Sequence, residues 1–248
     1  MKSIEAKLAT GLGLFLLVFS VAAVLWTWSV SHSHTKKSTA GQAALALEFD
    51  LAIRKYTGEK IRPAMEEHIA SDEFMPETMS TSFVARSIFE EVRKKFPNTI
   101  LKFSSDNPRN PANQAGPEEL KIIRYFNENP KAKQWSGEIY MGGKLYYAQF
   151  NARRMEVKCL RCHGVPEDAP ASMVARYGEI AGFHRPVGEV IATDTIAVPV
   201  DGINAAITAD VVRQSAIMLT AIVLLFVGIV VMFRLLVSHR LAKITDHV

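Results

Sequence analysis

The chain reads SGEIYMGGKLYYAQF over residues 136–150, and this stretch indicates the local structure more clearly than any other part of the domain. Gly142 and Gly143 separate two runs, 136–141 and 144–150, that contain aromatic and apolar residues typical of strands. Two consecutive glycines suit a two-residue hairpin turn, because both turn positions adopt positive φ. The stretch therefore predicts two antiparallel strands joined by a tight turn.

Helical patterns lie on both sides of this hairpin. Apolar residues recur every three or four positions over 40–69, which predicts a long helix that Pro63 bends or interrupts. Strands beside helices indicate an α+β fold with an antiparallel sheet and a long N-terminal helix. The other predicted helices are 80–96, 117–127 and 171–177, and the other predicted strands are 99–103 and 189–200.

Two apolar segments enclose this region. Residues 8–30 and 215–233 carry no charged side chain, and each is long enough to cross a bilayer core of about 30 Å. Trp26 and Trp28 suit the membrane interface, which favours a retained anchor. The alternative for the first segment is a signal peptide cleaved after Ala22. We therefore predict two flanking transmembrane helices, with membrane lipid as a partner.

Positive charges near the chain ends predict the orientation. The positive-inside rule assigns such ends to the cytoplasm. Lys36 and Lys37, on the other side of the first segment, oppose that assignment. The charges in its favour are Lys2, Lys7, Arg234, Arg240 and Lys243. The predicted organisation is a cytoplasmic N-terminus over 1–7, a transmembrane helix over 8–30, an extracytoplasmic domain over 31–214, a second transmembrane helix over 215–233 and a cytoplasmic tail over 234–248.

The only two cysteines of the sequence fall in one motif, Cys159-Leu160-Arg161-Cys162-His163. This C-x-x-C-H spacing is typical of covalent haem attachment, in which each sulfur bonds one haem vinyl group and the imidazole binds the iron. We predict one haem c, held by Cys159 and Cys162, with His163 as the proximal iron ligand. A redox-active dithiol and a structural zinc site are the alternatives.

The motif also decides between the opposed charge signals. Haem is attached to cysteines outside the cytoplasm, where free thiols would otherwise oxidise. The domain over 31–214 is therefore predicted to lie in the periplasm, on a two-pass protein of the bacterial inner membrane. The net charge of +4 is explained by the membrane flanks, and no nucleic-acid-binding pattern is present in the sequence.

Three stretches together resemble a known family. They are Asn107-Pro108-Arg109-Asn110-Pro111-Ala112-Asn113, the motif through Gly164, and Gly182-Phe183 with Gly188-Glu189-Val190. The sequence is similar here to the extracytoplasmic c-type-haem sensor domains of bacterial sensor histidine kinases and diguanylate cyclases. That resemblance implies a PAS-like fold and a sensory role. Some members bind the iron with an additional cysteine from the first long helix, which this chain lacks.

The second axial ligand of the iron must therefore come from another side chain. Methionine sulfur and imidazole are suitable donors. Met79 and His68 are the first choices, because both lie near predicted helix ends. Arg109 is predicted either to pair with a haem propionate or to cap its loop structurally. The remaining donors are Met65, Met75, Met141, Met155 and His184.

These features predict a membrane-anchored haem sensor of redox state or of a diatomic gas, acting as an input module. A membrane-anchored electron-transfer cytochrome and an extracytoplasmic dithiol oxidoreductase are the alternatives. No set of catalytic residues stands out, so we do not expect an enzyme. The expected partner is a cytoplasmic signalling protein or a second copy of the chain. Leu241, Ile244 and Val248 form a stripe that predicts a signalling connector after the second membrane helix.

Overall fold

A four-stranded antiparallel sheet forms the centre of Ser38–Asp201, one of two compact units in the computed structural model, which describes residues 4–238. The strands are β1 (Ile100–Ser105), β2 (Gln134–Met141), β3 (Lys144–Arg154) and β4 (Val190–Pro199), in the order β1-β4-β3-β2. Met141 pairs with Lys144 around the Gly142-Gly143 turn, where φ is +58° and +79°. The predicted hairpin and the α+β class are confirmed.

Eight α-helices accompany the sheet within the described residues. They are α1 (Ile4–Tyr56), α2 (Arg62–Glu66), α3 (Pro76–Met79), α4 (Thr81–Lys95), α5 (Pro117–Glu128), α6 (Leu160–His163), α7 (Ala171–Tyr177) and α8 (Asp201–Phe233). A π-helical turn, Thr57–Ile61, joins α1 to α2, and a second one, Arg234–Ser238, follows α8. Short 3₁₀ turns cover Pro111–Asn113, Val157–Cys159 and Pro166–Asp168.

The π-helical turn explains how the chain stays helical past Pro63. A proline ring clashes with the carbonyl four residues earlier and donates no hydrogen bond. Here the helix has already widened, since the N–H of Arg62 bonds to the carbonyl of Thr57, five residues back. Pro63 then lies in the first turn of α2, where proline is tolerated. The predicted interruption is therefore a local widening, and α2 ends at Glu66 rather than at residue 69.

The sheet of this unit is covered on both faces. On one face α5 packs Ile122 and Phe126 against Phe150. On the other face, α1 and α4 contribute Leu47 and Phe89, which cluster with Ile196 of β4. Both clusters are buried, so the hydrophobic effect holds the three layers together.

Within residues 4–238, two helices are long and apolar enough to cross a membrane. They lie in Ala6–Glu66 and Ile207–Leu236, and their most apolar windows are almost entirely exposed. The predicted segments 8–30 and 215–233 fall inside these ranges. Several residues used to predict orientation or a connector lie outside the described residues, namely Lys2, Arg240, Leu241, Lys243, Ile244 and Val248.

A buried cluster of charged residues ties α1 to the sheet. Arg54 Nε lies 2.9 Å from Asp50 Oδ1 and 3.1 Å from Asp194 Oδ1. Arg153 Nε lies 2.5 Å from the other oxygen of Asp194. Burial raises the pKa of Asp50 to about 6, Arg54 opposes that rise, and the neighbouring Asp194 adds to it. The cluster joins α1, β3 and β4 through charges that stabilise one another only while they remain paired.

We expect Asp50→Asn to change how stability depends on pH. The pKa of Asp50 is about 6 in the folded chain against an ordinary value of 3.8, so the folded chain binds this proton more tightly. The stabilisation from Asp50 is therefore complete below about pH 3.8 and is lost as the pH rises through about 6. As the pH rises from about 3.8 to about 6, the unfolding free energy of D50N should therefore increase relative to that of the parent chain.

Denaturant unfolding of the detergent-purified chain across this pH range measures that difference. Glu91→Gln is a suitable control, because it removes one carboxylate from an exposed ion pair with Lys94 and leaves the buried cluster intact. A difference between D50N and the parent chain that stays constant with pH would show that Asp50 does not titrate in this range.

Candidate cofactor site

The cysteine motif opens onto a cavity of about 590 Å³ within Ser38–Asp201. This volume lies in the range of small-molecule and cofactor pockets. The cavity is bounded by the C-terminal end of α1, the start of α4, the loop after β1 and the end of β3. Cys159, Cys162 and His163 all line it, so the three residues of the motif face one space.

The motif is held in a short turn by backbone contacts. The 3₁₀ turn Val157–Cys159 leads directly into α6, which the N–H of Gly164 closes with a 2.7 Å bond to the carbonyl of Leu160. A Cβ atom on Gly164 would lie 2.6 Å from that carbonyl oxygen, so only glycine fits this close approach. Both cysteines are partly buried free thiols.

His163 has a defined tautomer. Its Nδ1 lies 2.7 Å from the carbonyl oxygen of Gly182, and because a carbonyl can only accept, Nδ1 carries the hydrogen. Burial lowers the pKa of His163 to about 4, and the nearby Arg109 contributes to this shift. The ring is therefore neutral near pH 7, and its Nε2 presents a lone pair suitable for a metal ion.

A segment of four residues, 182–185, packs against the motif through backbone contacts, and we call this segment the strap. Besides the Gly182 contact, the N–H of His184 donates to Gly164 O at 2.7 Å and the N–H of Arg185 donates to His163 O at 3.2 Å. Gly182 has φ +73°, and a Cβ there would lie 3.2 Å from Arg109 Cγ. His184 itself has φ +57°, an uncommon value for a residue with a side chain. The strap therefore fixes the backbone and the imidazole together.

Arg109 supports the same turn from the loop after β1. Its Nη2 donates to the carbonyl of Cys162, and its Nη1 lies 3.4 Å from Met173 Sδ. The guanidinium carbon stands 4.4 Å from the centre of the Phe183 ring. Arg109 lines the cavity, but both of its terminal nitrogens are directed at protein atoms. Of its two predicted roles, this geometry favours the structural one.

Arg161 connects the motif to α2. Its Nη1 pairs with Glu66 Oε1 at 2.5 Å, and its Nη2 donates to Ser71 O at 3.2 Å. The sequence pattern assigns Arg161 no role beyond its place in the motif. The Arg161–Glu66 pair and the carbonyl of Gly182 were missed, because nothing in the local pattern reveals contacts over 95 and 19 positions.

The cavity is strongly basic. Nine arginine and lysine side chains line it against two glutamates. Such a surplus of positive charge favours an anionic ligand. The cations are Arg54, Lys55, Arg62, Arg86, Arg109, Arg153, Arg154, Lys158 and Arg185, and the acids are Glu59 and Glu156.

The side chains predicted as possible second ligands of the iron differ in whether they line the cavity. Met79 is 1% exposed and lines the cavity, whereas the exposed His68 is not among the lining residues. Met79 also anchors the cavity wall, since its carbonyl accepts a 2.7 Å bond from Arg62 Nε. Met155, 2% exposed, is the other candidate that lines the cavity. The candidates outside the lining are Met65, Met75, Met141 and His184.

Comparison with known proteins places this fold and site in a family. Residues 32–199 match the Tll0287-like family, and the chain belongs to it. The family resemblance drawn from the sequence is confirmed. The crystal structure of the cyanobacterial heme-protein Tll0287 has a similar fold, with a TM-score of 0.51 and 15% identity, and the match covers 64% of this chain and 94% of that one. No curated protein matches the chain.

We expect Gly182→Ala to damage the site more than Gly178→Ala. Both glycines have positive φ, +73° at Gly182 and +75° at Gly178, so both substitutions impose backbone strain. Only a Cβ at residue 182 would crowd Arg109 and His163, while residue 178 has open space around it. Thermal unfolding should show a loss of about 1–3 kcal/mol for G178A and a larger loss for G182A. Equal losses would show that the crowding at Gly182 is relieved without cost.

Proposed function

We propose that this chain binds one haem c in the basic cavity, with Cys159 and Cys162 as the sites of thioether attachment and His163 as the proximal iron ligand. The observation that carries the proposal is the common exposure of two free thiols and a neutral imidazole to one cavity of suitable volume. The family relationship supports it, since Tll0287 is described as a heme-protein.

The residues present fit such a cofactor. Thiols that add to vinyl groups and an imidazole that binds iron are the donor set that a c-type haem requires. The basic lining suits the two propionate groups. In addition, Arg153 Nη2 is buried without a hydrogen-bond partner among the described residues, as expected for a donor that a ligand would satisfy.

A bound haem would supply an iron centre for redox or ligand-binding chemistry, and His163 would hold that iron. The protein supplies orientation. The Gly182 carbonyl holds the imidazole by its Nδ1–H, Arg109 holds the Cys162 carbonyl, and Gly164 ends the turn close behind them. A hydrogen bond from the ring N–H to a carbonyl orients an imidazole ligand and raises its basicity.

The electrostatics disfavour Cys162 as the attacking thiolate of a dithiol oxidoreductase. Such enzymes need a thiolate, which requires a cysteine pKa below its ordinary value. Burial instead raises the pKa of Cys162, although Arg62 and Arg109 partly oppose it. We propose that these thiols serve as attachment points and that the chain is not an enzyme.

The alkaline pyridine spectrum of the purified chain tests the haem proposal. We expect a c-type haemochrome that acidified organic solvent does not extract, and we expect its complete loss in the Cys159→Ser/Cys162→Ser double variant. The single variant C159S should keep one thioether and show a shifted band, because one vinyl group is then unreacted. A parent chain without haem, or with haem that is fully extracted, would overturn covalent attachment.

Met79 is the side chain that we propose as the distal ligand. It lies on α3, a separate element from the motif, whereas Met155 precedes Cys159 by only four residues on the same segment. In Met79→Ala we expect the methionine-to-iron charge-transfer absorption to disappear and the reduction potential to fall. His68→Ala and Met155→Ala are matched controls and should keep the absorption. Its loss in M155A alone would transfer the assignment to Met155.

We further propose that the domain is a PAS-like sensor of redox state or of a diatomic gas, anchored by two membrane helices and located in the periplasm. The Arg161–Glu66 pair supports a route for the signal, because it links the attachment turn to α2. The chain continues from α2 through the π-helical turn into α1, which contains the predicted membrane segment 8–30. A coupling of about 1–3 kcal/mol is typical of such switches. The receiver would be a cytoplasmic partner or a second copy of the chain.

Limited proteolysis of the oxidised and reduced chain tests this route. We expect the cleavage rate within residues 57–71 to differ between the two redox states, and we expect the difference to vanish in Glu66→Gln. Glu77→Gln is the control, since the Glu77–Arg176 pair is exposed and joins other helices. Equal cleavage in both states of the parent chain would favour the alternative, an electron-transfer cytochrome that needs no moving helix.

A further inference from the structure

The cations that line the cavity differ in their partners. Seven of the nine have hydrogen bonds or ion pairs with protein groups. Among the described residues, Lys55 and Arg86 have neither. Arg86 instead lies over the Phe83 ring at 5.1 Å, a contact that leaves its N–H groups free to bind an acceptor. Lys55 is exposed and Arg86 is half-buried, so both cations are available to a ligand that carries more than one negative group.

Arg153 adds a third donor to this set. Its Nε faces Asp194 Oδ2 at 2.5 Å, so one side of the guanidinium is neutralised by a buried carboxylate. Its Nη2 is buried without a hydrogen-bond partner in the part of the chain that the structure describes. An unsatisfied buried donor destabilises the fold, and a ligand oxygen would offset that cost. Asp194 therefore holds Arg153 in place, while Arg153 Nη2 still lacks an acceptor.

These three cations lie on walls that do not carry the motif. Lys55 is on α1, Arg86 on α4 and Arg153 on β3. The cations with the strongest influence on Cys162 and His163 are others, namely Arg62, Arg109, Arg161 and Arg185. By both observations, Lys55, Arg86 and Arg153 belong to a part of the cavity other than the attachment turn.

We propose that Lys55, Arg86 and Arg153 form a carboxylate-binding wall that receives the two propionates of the haem. This inference rests on the proposed function. In a haem the vinyl groups and the propionates occupy opposite edges of the macrocycle, so attachment at Cys159 and Cys162 directs the propionates away from the motif. Guanidinium and ammonium groups are suitable partners for carboxylates. Arg109, whose terminal nitrogens already bind the turn, is then not a propionate ligand.

The test uses the complete haem-loaded chain in detergent. The variants are Arg86→Gln, Lys55→Gln and Arg153→Lys. The last of these keeps a positive charge beside Asp194 and removes the unpartnered Nη2. The controls are Arg93→Gln, on the same helix as Arg86, and Lys60→Gln, close to Lys55; neither residue lines the cavity. The measurements are the pyridine haemochrome, the reduction equilibrium and the redox-difference infrared spectrum of the propionates.

We expect R86Q and K55Q each to lower the equilibrium constant for haem reduction about fivefold, because losing a nearby cation favours the ferric state. Their propionate bands should shift, R153K should shift the bands with a smaller change in equilibrium, and both controls should match the parent. Intact haemochrome with unchanged propionate bands in R86Q, K55Q and R153K would overturn the wall and leave the proposed function standing. A parent chain without haemochrome would overturn both.

Discussion

The hydrogen bond between His163 Nδ1 and the Gly182 carbonyl is the contact on which the site depends. It joins segments 19 positions apart and leaves the second ring nitrogen of His163 unprotonated, in a residue that lines the cavity. Burial, with help from Arg109, opposes protonation of the same ring. The backbone bonds of the strap, 182–185, add to this contact, so the orientation of the imidazole and the path of the motif are set together. A ring held in this way is prepared for a metal ion before one arrives.

The buried aspartates balance part of the positive charge of the basic cavity. Concentrated positive charge destabilises a fold unless counter-charges stand close by. Asp194 lies on β4 between Arg54 and Arg153, and Asp50 on α1 pairs with Arg54 from the other side. These carboxylates hold α1 against the sheet and at the same time position cations at the cavity wall. Loss of Asp194 would leave Arg153 without a carboxylate partner, whereas loss of Asp50 would leave Arg54 paired with Asp194 alone.

Local constraints made part of this structure predictable. The Gly142-Gly143 turn requires positive φ, and the spacing of Cys159, Cys162 and His163 lies within a single turn, so both are readable from neighbouring residues. Long-range contacts were not predictable. Strand β3 continues to Arg154, four residues beyond its expected end, because β4 pairs with that extension. Likewise, the direction of Arg109 depends on Met173 and Phe183, which come from distant segments.

The widened turn between α1 and α2 connects the fold to the proposed signal. π-helical turns inside α-helices occur frequently at functional sites, and each shifts the faces of the helix by one residue. Gly58 and Arg62 both line the cavity, while Glu66, one turn further, reaches Arg161 behind the motif. The regular hydrogen-bond ladder is interrupted at this turn, where the N–H of Arg62 bonds to the carbonyl of Thr57. The site therefore contacts the long helix at the point where that helix departs from regular α geometry.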